Sequence, residues 1–251
     1  MGALDGKVAI ITGSSRGIGR AVALCFAEEG ASVVVNYSRS QEQAEAVVRT
    51  IRERGGNAIA VRADVAVSDD VRAMVRETVD LWGRIDILMN NAGIAADGPA
   101  EEMSEDDWDR VVDVSLKGTF LCTQAVAPIM RRQKSGKVIN VSAASAIRGR
   151  MNGVNFCAAK GGVIALTKCF ARELAPHVQV NCFLPGFTET EDVVERFGLR
   201  DPKVRAELVK EIPLGRLAKA EEMARGALFL ASSDSDLMTG QLLMINGGSY
   251  M

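Results

Sequence analysis

Histidine and tyrosine are nearly missing from this chain. Among 251 residues there is one histidine, His177, and there are two tyrosines, Tyr37 and Tyr250. Chemistry that leans on an imidazole or a phenol therefore has almost no residues to draw on. His177 follows Pro176 and precedes a β-branched run, which reads as a surface loop. An excess of either charge is missing too: 30 Lys and Arg stand against 32 Asp and Glu, a formal net charge of -2. No basic surface argues for nucleic acid or an anionic membrane as a partner. No apolar run looks long enough to cross a bilayer, and no basic-then-apolar leader precedes the first β-branched run, so a soluble cytoplasmic protein is expected. The five cysteines, Cys25, Cys122, Cys157, Cys169 and Cys182, are odd in number and lie in apolar segments without metal-ligand spacing. They read as reduced core thiols, and no metal site is expected.

Repeats, low-complexity tracts and dividing linkers are also absent. The economical reading is one domain over residues 1–251, long enough for a large core. What is present is alternation. Short β-branched runs, beginning with Val8-Ala9-Ile10-Ile11 and Ser32-Val33-Val34-Val35, alternate with longer amphipathic segments such as Ile18 to Glu29. Further strands are expected near Ala58–Val61, Ile85–Met89, Val138–Val141, Val178–Cys182 and Leu242–Ile245. This pattern predicts an α/β fold of the Rossmann type: a single doubly wound, seven-stranded parallel sheet flanked by helices. The least regular stretch is 188–213, where Gly198, Pro202 and Pro213 interrupt short charged helical pieces.

Gly13, Gly17 and Gly19 lie between the first strand and the first helix, where small residues let backbone N–H groups and a helix N-terminus approach a pyrophosphate. The strand before and the helix after separate this pattern from a plain tight turn. A carboxylate at the end of the second strand would accept from a ribose 2′-hydroxyl and repel a 2′-phosphate. Asn36 stands there instead, with Arg39 just beyond and Arg16 in the glycine loop. Neutral and cationic groups favour NADP(H) over NAD(H).

Four segments together, Thr12-Gly13-Ser14-Ser15-Arg16-Gly17-Ile18-Gly19, Asn90-Asn91-Ala92-Gly93, Pro185-Gly186-Phe187-Thr188-Glu189-Thr190 and Asn246-Gly247-Gly248, resemble the short-chain dehydrogenase/reductase family over nearly the whole length. The likeness is nearest to its β-ketoacyl-thioester (3-oxoacyl-ACP/CoA) reductases. The resemblance implies that the glycine loop, including Ser15, Arg16 and Ile18, holds the pyrophosphate. It also implies that Asp64 and Val65 flank the adenine and that Asn91, Ala92 and Gly93 line the cofactor path. Pro185, Gly186 and Thr188 would meet the nicotinamide end, Lys160 would hold the nicotinamide ribose, and 188–213 would be a lid over the substrate.

In that family an Asn, a Ser, a Tyr and a Lys carry the reaction, and only Lys160 is retained here. The Tyr position is Phe156, the Ser position Ala143, and the Asn position Ser115. By the family's mechanism, the Tyr donates the proton to the carbonyl oxygen and the Ser hydrogen-bonds that oxygen. A positioned general acid contributes about 10²–10⁴ in rate, and one oxyanion donor about 10²–10³. Ketone reduction by this chain alone is therefore expected to be severely reduced. Ser142 sits one place too early to replace Ala143, and Cys157 points about 100° round the helix from Phe156. Tyr250, in the tail, is a remote substitute.

Three readings stay open. A non-catalytic subunit could support an active reductase paralogue in a tetramer, through helices from about Trp108 to Arg131 and Asn155 to Leu174. Val111, Val112, Leu116, Phe120, Val163, Leu166 and Phe170 would suit that packing or an ordinary core. An atypical ketoreductase, or a non-redox cyclase or isomerase, could use the pocket without a Tyr acid, on an acyl-thioester or a conjugated carbonyl. A nucleotide-dependent sensor is the third. Tyr-to-Phe and Ser-to-Ala are also changes an experimenter would choose, but the Asn-to-Ser change points to natural divergence.

Overall fold

Every strand of the sheet is parallel, and the reason is visible in the burial of the runs that form it. In the computed structural model, which describes residues 2–250, the strands are β1 (Val8–Ile11), β2 (Ser32–Tyr37), β3 (Asn57–Arg62), β4 (Ile87–Asn90), β5 (Gly136–Val141), β6 (Val178–Pro185) and β7 (Leu242–Ile245). β1 and β4 are buried at every position, as strands covered by helices on both faces must be. The order is β3-β2-β1-β4-β5-β6-β7, which matches the expected doubly wound sheet. The chain leaves β1 toward β2 on one side and returns to β4 on the other. That reversal opens a crevice beyond the carboxyl ends of β1 and β4, where open α/β sheets bind ligands.

The crossovers are helices: α1 (Gly17–Glu28), α2 (Gln41–Glu53), α3 (Ser68–Trp82), α4 (Glu105–Val112), α5 (Gly118–Gln133), α6 (Ser145–Arg148), α7 (Val154–Leu174), α8 (Glu191–Arg196), α9 (Pro202–Lys210) and α10 (Ala220–Ala231). Successive strand residues point to opposite faces, so Ala9 and Ile11 join Phe26, Ile51 and Leu230 under α1, α2 and α10. Ile10 and Val34 join Met74, Val126 and Met130 under α3 and α5. Across the sheet a buried polar chain ties the two halves. Asn90 Nδ2 donates to Thr123 and to Asn140 Oδ1, and Asn140 Nδ2 donates to Thr167 on α7.

Three expectations change and one open choice is decided. The helix foreseen from Trp108 to Arg131 is interrupted by a π-turn, Asp113–Lys117, closed by the Gly118 N–H on the Asp113 carbonyl. Gly118 is pressed against Val65, where an added Cβ would lie 2.7 Å from a methyl. α7 is long and apolar enough to cross a membrane by length and composition, contrary to the reading of the sequence. Its apolar content has a local cause, because Val163, Thr167, Ala171 and Leu174 face the interior. The thiols are all free but not all core: Cys122 and Cys182 are buried, Cys25 and Cys157 half-buried, and Cys169 exposed. Val111 and Val163 are fully buried and belong to the core, whereas Phe120 is 37% exposed and stacks on Phe170 at 6.2 Å.

The 188–213 stretch is better ordered than its sequence suggested. α8 and α9 each begin on a side-chain cap, Thr190 and Asp201, and Pro202 occupies the first turn, where its missing N–H costs nothing. Leu199, Ile212 and Leu217 form a small core of their own, with Phe187, Val193, Phe197 and Leu208 packed around it.

Phe26 is completely buried at the centre of the α1 side. Phe26→Ala is expected to lower the unfolding free energy by about 3–5 kcal/mol, read from urea denaturation curves. A loss under about 1 kcal/mol would show that the layer collapses to fill the space.

Candidate functional site

The glycine loop is held in the crevice by three anchors. Thr12 Oγ1 accepts from the N–H groups of Asn91 and Ala92, each at 3.0 Å. Asn91 Nδ2 returns bonds to the carbonyls of Thr12 and Gly13. The Gly13 N–H donates to Asn36 Oδ1 at 3.0 Å. Gly13 and Gly17 both have positive φ, +62° and +57°, which favours glycine. A Cβ on Gly19 would come within 2.5 Å of Asn91 Nδ2 and the Gly13 carbonyl. α1 then starts at Gly17 with no side-chain cap on its first N–H groups and no acidic residue in its first turn. Free amides at a helix N-terminus, reached over bare glycine backbone, form a cradle for phosphate. The residues present fit a dinucleotide.

Asn36 does something other than the sequence suggested. Its side chain is buried, 2% exposed, and its Nδ2 donates to the carbonyls of Val61 and Ala63. The amide is consumed in joining the glycine loop to β2 and β3 and cannot face a ribose. Arg16 and Arg39 are exposed at the same end and are the cations free to meet a 2′-phosphate. Ser15 and Ile18 line the loop, the former nearly buried. Asp64 uses Oδ1 on the Ala66 N–H, and Val65 is buried against Gly118. Thr188, foreseen at the nicotinamide end, is 1% exposed and gives its hydroxyl to the Gly186 carbonyl. Pro185 and Gly186 end β6 against β7 and Asn246. Thr190, which the sequence reading did not single out, reaches the glycine loop, 3.5 Å from a Cβ built on Gly17.

Lys160, Ser115 and Gly93 meet at the other end of the crevice. A Cβ on Gly93 would stand 3.2 Å from Lys160 Nζ and 3.4 Å from Ser115 Oγ. The π-turn places Ser115 there, fully buried, with its hydroxyl toward the Ile94 N–H. Lys160 is buried, and its Nζ donates to the Val141 carbonyl at 2.7 Å, so it is no plain surface lysine. Desolvation lowers it from the ordinary 10.5 to about 8, against a smaller opposing effect of Cys182, whose own thiol burial pushes up to about 11.

Phe156 lies one helical turn before Lys160, with Lys160 Nζ 6.0 Å from the ring centre. Ser142 Oγ is spent on the Lys160 carbonyl at 2.8 Å, and Ala143 offers no donor. His177 is exposed on a loop, Tyr37 is buried at the end of β2, and Tyr250 is tied by its carbonyl to Asn246. Two further cations surround the ring and were not foreseen. Arg150 stands 5.1 Å and Arg196 5.9 Å from its centre. Arg150 is also fixed bidentately on Asp97 at 2.5 and 2.8 Å. No local pattern in the chain announces contacts between segments so far apart in sequence.

The family described as enoyl-(acyl carrier protein) reductase matches residues 13–250. A 3-oxoacyl-(acyl-carrier-protein) reductase of Staphylococcus aureus is 44% identical over 98% of both chains. The corresponding protein of Synechocystis is 44% identical over 100% of both. A gluconate 5-dehydrogenase of Burkholderia cenocepacia, solved with NADP and tartrate, superposes with a TM-score of 0.92 at 38% identity, covering 98% of this chain and 96% of the other. A levodione reductase gives 0.93 at 34% identity, covering 98% of both chains.

Below about pH 8 the Lys160 ammonium is charged in folded and unfolded chains alike, and the fold carries its full desolvation cost. Between about 8 and 10.5 the unfolded chain still holds the proton that the folded chain has released, so stability rises with pH. Relative to Lys160→Met, the wild type is expected to gain up to about 3 kcal/mol across that window. Denaturation of both proteins at stepped pH measures this, and a constant difference would contradict it.

Proposed function

This chain belongs to the short-chain dehydrogenase/reductase family, and from that premise we propose that it is an NADP(H)-binding, non-catalytic subunit supporting an active 3-oxoacyl-thioester reductase of the same family. The observation that carries the reading is the reaction centre. Phe156 and Ala143 offer no proton donor, Ser142 is engaged elsewhere, and Ser115 is buried on backbone. A nicotinamide nucleotide, when bound, supplies a hydride. The chain would then have to stabilise and protonate an alkoxide, and of Lys160 and Ser115, the two proton-bearing side chains that meet there, Lys160 is the stronger acid. In this reading Lys160 and the glycine loop serve nucleotide binding.

The cofactor preference rests on Arg16 and Arg39 and on the absence of a free carboxylate at the end of β2. The gluconate 5-dehydrogenase neighbour, solved with NADP, supports it. The assembly is a tetramer, homomeric or mixed with an active paralogue. Its support is the apolar surface left on α4, α5 and α7 by Trp108, Phe120 and Val154. Free thiols suit a reducing compartment such as the cytoplasm. A second reading is favoured by Lys160 alone: a proton-holding ammonium lowered to about 8 suits a conjugated carbonyl that stabilises its own alkoxide.

Native mass spectrometry of the protein from its host should show a mixed tetramer with a tyrosine-bearing paralogue, carrying NADP(H). A homo-oligomer that reduces acetoacetyl-thioester at an ordinary rate would overturn the proposal. Phe156→Tyr with Ala143→Ser should raise NADPH-dependent reduction of that substrate by at least about 10²-fold over a near-zero baseline. In a separate titration, Arg39→Glu should weaken NADPH about tenfold or more relative to NADH; equal loss for both cofactors would place Arg39 outside the site.

A further inference from the structure

α8 joins the two ends of the crevice. At its start Thr190 caps the helix by accepting from the Val193 N–H, and its methyl carbon lies 3.5 Å from a Cβ built on Gly17 in the glycine loop. At its end the Arg196 guanidinium carbon stands 5.9 Å from the centre of the Phe156 ring, which lies beside Lys160 on α7. The helix has six residues and is about 9 Å long, so it runs like a strap from the phosphate cradle to the reaction centre. Two other partners of Arg196 belong to the strap's own segment. Asp192, 3.8 Å away, is also on α8. Phe197, 4.9 Å from the same guanidinium, is in the small core of that segment and meets Phe187 edge-on at 5.5 Å. Phe156 is the partner that ties Arg196 to α7. It is firmly seated: Arg150 stands 5.1 Å from its ring centre, fixed bidentately on Asp97, and packs where a Cβ on Gly153 would come within 2.6 Å of the guanidinium. The Gly98 N–H donates to the Asn152 carbonyl and Asn155 Nδ2 to the Ala96 carbonyl, each at 2.9 Å, so the 96–98 segment and the start of α7 form one unit around the ring.

We propose that Phe156 is a positioning residue that latches α8 across the crevice, through Arg196, in the chain without ligand, and that nucleotide exchange requires this latch to open. An aromatic face attracts a guanidinium without any hydrogen bond, so the ring holds the strap although it has no proton to give. Two guanidinium groups can share one ring because each has its own carboxylate, Asp97 for Arg150 and Asp192 for Arg196. Lys160 Nζ, 6.0 Å from the ring centre, has no carboxylate partner; it opposes Arg196 and keeps the hold weak enough to release. A hydroxyl on the ring would add nothing to this contact. The latch is a property of the free chain, and only its consequence for exchange rests on the nucleotide-binding reading.

Amide hydrogen exchange of the nucleotide-free full chain, followed by mass spectrometry on peptides covering residues 190–199, reads the latch directly. Phe156→Leu and Arg196→Gln should each speed exchange there at least about threefold, with peptides from β1 and β4 unchanged. Phe156→Tyr, which keeps the ring, should exchange like the wild type. Stopped-flow mixing with NADPH should then show both association and dissociation faster in Phe156→Leu and Arg196→Gln. Unaltered exchange in those two variants, or Phe156→Tyr exchanging as fast as Phe156→Leu, would overturn the latch. So would Asp192→Asn speeding exchange as much as Arg196→Gln, since the hold would then lie in the ion pair within α8. Faster exchange with unaltered nucleotide rates would overturn the gating. Failure of NADPH to bind would count against the nucleotide reading alone, and the exchange of the free chain then decides the latch.

Discussion

Asn91 and the glycine loop touch with no room between them, and the rest of the site is built outward from that contact. The loop can lie so close to the end of β4 only because Gly19 has no Cβ. Asn91 then satisfies the carbonyls of Thr12 and Gly13, which a tight turn would otherwise leave without partners near a low-dielectric interior. With both carbonyls tied back, the amides of the loop and of α1 are the groups that face the crevice. Asn36 completes the arrangement from the opposite side, so the loop is fixed by two side-chain amides, the buried Asn36 and the half-buried Asn91, one on each neighbouring strand end. An anion site made of backbone needs this rigidity, because its donors have no rotamers with which to adjust.

The far end of the crevice follows a different logic. Lys160 is buried with a carbonyl as its hydrogen-bond partner and no carboxylate to offset its charge, and burial cost is what lowers its proton affinity. Beside it Phe156 and Ala143 present hydrocarbon, and hydrocarbon cannot solvate an ammonium. Phe156 answers this in part through the electron-rich face of its ring, which lies near Lys160, Arg150 and Arg196 alike. One aromatic ring thus sits among three cations, with Asp97 bound bidentately to Arg150 and Asp192 standing 3.8 Å from Arg196.

Much of this could be read from the chain. The strands were legible because β-branched runs buried on both faces have no other explanation, and the glycine loop because a strand and a helix bracket it. Phe156 and Lys160 share a face by their spacing alone. The π-turn at Ser115 was not legible, since no local pattern marks it; it ends at Gly118, which meets Val65 across the fold. Asn36 misled because the end of a strand shows its alternation but not which face meets the neighbouring loop. The Arg150–Asp97 pair joins separate loops, the approach of Arg196 to Phe156 joins α8 to α7, and the exposure of Cys169 depends on which side of α7 the sheet covers. Such facts belong to tertiary packing.

The small core that pins the 188–213 segment reaches past both its ends, to Phe187 and Leu217. A lid that is a loose strand must be ordered each time a ligand binds, and its lost backbone freedom weakens affinity residue by residue. Here Leu199, Ile212 and Leu217 hold the segment together before any ligand arrives. The entropy of ordering it is charged to folding and not to recognition.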